Sequence, residues 1–126
     1  VTIVVDSSAL LALLFDEPGG EVVLPLIRGA TLSAVNLDEV LHKCARRGIA
    51  PAIVLKSVQR LDVIVAPFDA EQALASAALH PRAQALRLSF AERACLALGQ
   101  IRTASVVTAD RVWQAFAGDF DIRLIR

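Results

Sequence analysis

Four carboxylates stand apart from the other acidic residues by their position in the chain. Asp6 ends the opening run Val1-Thr2-Ile3-Val4-Val5. Glu39 follows Ala30-Thr31-Leu32-Ser33 by a few residues. Glu92 lies in Ser89-Phe90-Ala91-Glu92, and Asp110 comes just after Ala104-Ser105-Val106-Val107-Thr108. Each falls at a strand-to-helix handover or in the first turn of the next helix. If the strands are parallel, all of these handovers lie on one edge of a sheet, where α/β folds bind their ligands. Anions brought together there repel: at an effective dielectric of ~20, two charges ~5 Å apart cost about 3 kcal/mol. Such a cluster is stable at neutral pH only with raised pKa values or with cations bound. A donor set of oxygens, with no His or Cys, suits Mg²⁺ or Mn²⁺. Two such ions activate water and steady the leaving oxygen in phosphodiester cleavage. Taken singly, each acid also has a structural explanation. Ser89 to Glu92 spells a capping box, Asn36 to Glu39 a near variant, and acids at helix starts complement the helix dipole.

The elements that must position these residues follow from the hydrophobic pattern. The opening is a continuous apolar run, as in a strand buried on both faces of a parallel sheet. Ala9 to Phe15 reads as a helix, with Ser7 or Ser8 at its cap. After the turn Asp16-Glu17-Pro18-Gly19-Gly20 comes a short helix over Glu21 to Ile27, which Pro25 is expected to kink or break. A strand near Ala30–Ser33 precedes a helix opening at Asn36 and ending at Arg46-Arg47-Gly48. Pro51 starts a helix to about Leu61. Val63–Ala66 is a third strand, and Asp69 caps a helix ending near His80-Pro81. Residues 82–88 form a connection, and Ser89 caps a helix from Phe90 to Gly99. Ala104–Thr108 is a fourth strand, a short helix passes through Trp113 and Phe116, and Ile122–Ile125 closes the chain as a fifth. Strands spaced by helices predict a single domain over residues 1–126. Its expected form is a three-layer α/β/α sandwich around a mostly parallel sheet of about five strands.

Composition narrows the function. The 126 residues carry 13 basic and 13 acidic side chains, a formal charge of zero, whereas a protein that binds nucleic acid by bulk attraction is normally basic; charge balance alone decides nothing. Local cations can still grip phosphate; Arg46, Arg47, Arg87, Arg93 and Arg111 are candidates, with Arg93 and Arg111 foremost for standing beside proposed ligands. Mean hydropathy is +0.57, which suggests apolar surface covered by a partner. Yet no apolar run approaches the roughly 18–20 residues that span a bilayer. Cys44 and Cys95 have no metal-type spacing and are expected as buried, reduced thiols of a cytoplasmic protein. The absence of Met suggests that an initiator is missing. The five Phe residues, at 15, 68, 90, 116 and 120, are expected in the core rather than as base-stacking platforms.

Four phrases taken in order extend this reading: Val-Val-Asp-Ser-Ser-Ala, Asn-Leu-Asp-Glu-Val, Leu-Ser-Phe-Ala-Glu-Arg-Ala-Cys-Leu-Ala-Leu and Val-Val-Thr-Ala-Asp-Arg-Val-Trp. Together they resemble PIN domains, and more closely the VapC ribonuclease toxins of bacterial VapBC toxin–antitoxin pairs, along the whole chain. The resemblance implies a Mg²⁺- or Mn²⁺-dependent endoribonuclease that hydrolyses RNA phosphodiesters with metal-activated water, tRNA or ribosomal RNA being the family's usual targets. It also implies a homodimer and a VapB-like antitoxin. The family's acidic positions fall on Asp6, Glu39, Glu92 and Asp110, and Thr108 matches a hydroxyl position that orients a metal-bound water. One departure matters: the third acid is usually Asp. Glu92 carries the carboxylate farther out by about 1.5 Å, which leaves a catalytically weakened PIN-fold binding module as the alternative. The Glu39-x-x-His42 pair lacks the second copy and the helical bundle that a di-iron site needs. A haloacid-dehalogenase-type phosphatase would want Asp where this chain has Ser8.

Overall fold

The computed structural model describes residues 2–126; Val1, where the opening apolar run begins, lies outside the described residues. Five strands form one sheet: β1 (Ile3–Val5), β2 (Thr31–Ser33), β3 (Ile64–Ala66), β4 (Ser105–Thr108) and β5 (Asp121–Leu124). Their spatial order is β3-β2-β1-β4-β5. Every pairing is parallel, with Ile3, Val4 and Val5 opposite Ser105, Val106 and Val107. Between the strands lie α1 (Ser7–Leu14), α2 (Gly20–Ile27), α3 (Ala34–Arg46), α4 (Pro51–Arg60), α5 (Ala70–Ala77), α6 (Arg82–Ala85), α7 (Phe90–Arg102) and a 3-10 helix (Arg111–Phe116).

The sheet divides the core in two, and the strand period of two decides which residue goes where. Ile3, Val5 and Val107 point into one layer with Leu10, Val23, Val40, Val54 and Val58 from α1 to α4. Val4 and Val106 point into the other, against Leu96 and Leu98 of α7 and against Trp113 and Phe116. This is the α/β/α sandwich expected from the sequence. Gly99 lets α7 lie close to β4: a Cβ there would come within 2.3 Å of the Val106 side chain.

Local details differ from the sequence expectation at several helix boundaries. Helix α1 starts at Ser7, and its N-cap is Asp6, whose side chain makes no capping bond. Helix α3 starts two residues early because Ser33 accepts from the Val35 N–H, so Asn36 lies inside the helix and the near variant of a capping box does not form. Helix α2 runs through Pro25 to Ile27 rather than breaking. The connection at 82–88 contains α6, and α7 continues beyond Gly99 to Arg102. Phe116 and Phe120 are core residues, Phe15 and Phe68 are half-buried, and Phe90 is 50% exposed, with its ring edge-on to Phe68. Phe90 opens α7 at its solvent end, so it packs on its neighbour instead of entering the core.

Candidate functional site

The chain lays down β1, β2 and β3 outward on one side, then returns to place β4 and β5 on the other. The crevice between the carboxyl ends of β1 and β4 is therefore the switch point, where loops diverge and leave room for a ligand. Asp6 follows β1 at this point, and Thr108 ends β4 beside it.

Asp6 is only 4% exposed. Its Oδ2 accepts from Ser8 Oγ at 2.6 Å and from Thr108 Oγ1 at 2.9 Å. Ser8 Oγ in turn accepts the Ala109 N–H at 2.9 Å, and Thr108 Oγ1 accepts the Asp110 N–H at 3.0 Å. Two hydroxyls thus tie the carboxylate to the start of α1 and to the end of β4. Burial pushes the Asp6 carboxyl up to about 6; the two hydroxyl donors oppose this, and the Glu39 charge adds to it. The anion is held in place but poorly solvated, the condition a bound cation relieves. Thr108 is fully buried with its hydroxyl engaged on Asp6, so in this arrangement it positions the carboxylate.

Of the other acids, Glu39 adds its charge to that of Asp6, and each is engaged by a partner of its own. Glu39, half-buried on α3, pairs with Lys43 at 3.9 Å, one turn along. Glu92 completes the capping box: Ser89 N–H donates to its Oε1 at 3.3 Å. Its Oε2 accepts from Trp113 Nε1 at 3.2 Å, the indole being wholly buried. Asp110 caps the 3-10 helix, with Oδ1 accepting the Val112 N–H at 3.0 Å. The buried Cys95 thiol records a shared neighbourhood, since burial raises it well above its ordinary value and the charges of Asp6, Glu39 and Glu92 push the same way. Among the described residues, no three His, Cys, Asp or Glu side chains form a ready cluster for a metal ion. The oxygen-only donors nonetheless fit a hard divalent cation chemically.

Arg93 donates to Ser76 Oγ at 3.0 Å, while Arg111 is exposed beside Asp110. Ser7, Ser8 and Asn36 were not singled out as site residues by sequence reasoning. Asn36 Nδ2 donates to Ser7 Oγ at 3.1 Å and to the Ala91 carbonyl at 3.0 Å, clamping the starts of α1 and α7 to α3. Its Oδ1 is buried without a protein partner. A polar residue one helical turn before Glu39 was the available signal.

An all-parallel α/β/α sandwich with a buried carboxylate at its switch point defines the fold class. The model of the PIN domain family matches residues 3–119; the chain belongs to that family. Among curated proteins, none matches significantly. Solved structures share the fold at low identity. A toxin–antitoxin complex from Klebsiella pneumoniae has a TM-score of 0.78 at 16% identity, over 99% of this chain and 98% of that one. DNA-bound VapBC from Salmonella typhimurium gives 0.75 at 15%, over 100% and 99%. FitAcB from Neisseria gonorrhoeae gives 0.71 at 18%, over 98% of each.

Proposed function

We infer that this chain is the toxin of a type II toxin–antitoxin pair, a VapC-like, Mg²⁺- or Mn²⁺-dependent endoribonuclease. The observation that carries the reading is Asp6: a buried carboxylate at the switch point, fixed by Ser8 and Thr108 and left electrostatically uncompensated. The family match and the toxin–antitoxin character of the similar structures support it. Asp6, Glu39, Glu92 and Asp110 would hold the ion, which supplies Lewis-acid stabilisation of phosphoryl charge and activation of water. Asp6 is preset for this role. Glu92 and Asp110 sit half-buried at helix starts, and Glu39 is half-buried in the second turn of α3. Arg93 and Arg111 stand ready for RNA phosphate, with tRNA or ribosomal RNA as the substrate class.

A VapB-like antitoxin is the proposed partner, a homodimer the proposed assembly and the cytoplasm the proposed location. Apolar surface suits a partner helix: Val22 and Leu24 are exposed on α2, and a 140 Å³ cavity is lined by Leu14, Phe15, Ile49, Ile53 and Val54. No helix among the described residues is long and apolar enough to cross a membrane.

The second reading, a binding module with a weakened site, is favoured by one observation: both Glu92 oxygens are taken by Ser89 and Trp113. Cleavage of a broad RNA panel separates the two. The nuclease reading expects cleavage that requires Mg²⁺ or Mn²⁺ and falls about 10³-fold in Asp6→Asn, the several kcal/mol that a metal contributes. RNA binding without cleavage by the wild type selects the module.

A further inference from the structure

A cleft of about 600 Å³, bounded by the end of α5, by α6 and by the start of α7, reaches Arg93, the residue after Glu92. Its size is within the ~300–1,000 Å³ of ordinary ligand pockets. Three of its lining residues are His80, Arg87 and Arg93, and none is acidic. In a chain of zero net charge this is a local concentration of one sign. Arg93 is one residue from Glu92 and is steadied by Ser76 Oγ and by the Phe90 ring, 5.7 Å from its guanidinium. The neighbouring Arg82 is neutralised by Asp119 at 2.5 Å. Arg87 and Arg93 have no carboxylate partner among the described residues.

The backbone at Arg87 is the second observation. Helix α6 ends in a Schellman motif: Leu88 N–H donates to the Ala83 carbonyl at 2.9 Å and Arg87 N–H to the Gln84 carbonyl at 3.1 Å. The residue after the cap must then be left-handed, and Arg87 has φ +55°. Glycine is the favoured occupant of that position, because a Cβ is penalised there. A glycine there would relieve that penalty, so Arg87 can be exchanged for Gly without a local cost to the fold.

We propose that the His80–Arg87–Arg93 cleft is a subsite for a backbone phosphate of the RNA substrate, one that flanks the bond presented to the acidic crevice. The proposal rests on the nuclease reading for its choice of ligand and deepens it: register along the RNA is set by phosphate placement on Arg87 and Arg93. Both guanidinium groups offer the fork geometry that matches phosphate oxygens.

The test is binding of a fluorescein-labelled oligoribonucleotide to the full chain, with divalent ions chelated, across a salt series. Arg87→Gly is the informative variant because fold and function move in opposite directions. Its melting temperature is expected to hold or rise, while RNA affinity falls roughly tenfold. The slope of log K against log salt shrinks by about 0.7 for the lost phosphate contact. Arg93→Gln should give the same loss, and Arg60→Gln, on α4, none. Unchanged affinity and slope in both cleft variants overturn the proposal. If the wild type still cleaves RNA with metal, the nuclease reading survives that failure; if it neither binds nor cleaves RNA, both fall. A titration with inorganic phosphate that matches RNA in affinity and is lost in Arg87→Gly reassigns the cleft to free phosphate and overturns the RNA assignment.

Discussion

Asp6 leaves a strand that is buried on both faces, meets almost no water and has one oxygen fixed by two hydroxyls. Glu92 sits in the first turn of a helix, half-buried, with one oxygen on its own cap and the other on an indole. The first carboxylate is rigid and costly to ionise; the second is longer, better satisfied and turned partly away. A strand end in a sheet interior leaves a side chain no freedom, so Asp6 can be strained into readiness. A helix start offers free amides, and these compete with any ion for Glu92. On the proposed metal-dependent reading, Asp6 would receive a cation as it stands, while Glu92 would first have to surrender protein contacts.

The largest effect expected from breaking this contrast is at Asp6. Its folded pKa of about 6 lies above the ordinary 3.8, so the native state favours the protonated form. The ionisation penalty is absent below pH 4, grows as pH rises between the two values and stays constant above 6, where it reaches ~3 kcal/mol. Asn at position 6 still accepts from Ser8 and Thr108. Denaturant unfolding of metal-free protein should show Asp6→Asn matching the wild type at pH 4 and exceeding it by that margin at pH 7.5; equal stability at both would remove the argument. Adding Mg²⁺ should close the gap in the wild type alone.

A smaller effect is expected at Thr108, whose hydroxyl serves Asp6 and the Asp110 N–H together. Thr108→Val leaves both groups short of a partner and should cost about 2 kcal/mol, with Thr108→Ser close to wild type in the same melts. The smallest concerns Glu92. The chain has a single tryptophan, and its indole is bonded to this carboxylate, so intrinsic fluorescence reports on Glu92 directly. Mg²⁺ should shift the Trp113 emission in the wild type and leave it unmoved in Glu92→Gln. Glu92→Asp shortens the arm and should tighten metal binding by a few-fold, less than the ~10–100-fold that supporting contacts at metal sites are worth. No change in emission across the metal titration would mean that Glu92 stays with its cap.

Much of this was legible in the chain. Apolar runs separated by helical periods gave a parallel sandwich, because a strand with no polar face must be covered on both sides. Position after those runs singled out Asp6 and Asp110, and Ser89 with Glu92 formed the capping box that the spacing spelled out. Asn36 was misread as a cap because its local sequence suits one; Ser33, arriving first from the strand, took that place. The asymmetry between the acids was not legible, since it depends on Thr108 and Trp113 arriving from segments distant in sequence.

The sequence by itself determined the kinds of element, their order and the chemical character of the donors, all of which follow from local periodicity and residue type. Only the tertiary structure decided that β1 and β4 are neighbours, which makes Asp6 a switch-point residue and lets the Thr108 hydroxyl donate to its carboxylate. It alone also placed Arg87 and Arg93 around one cleft. Strand order and hydroxyl partnerships arise from packing between segments about a hundred residues apart, and no pattern confined to one window encodes them.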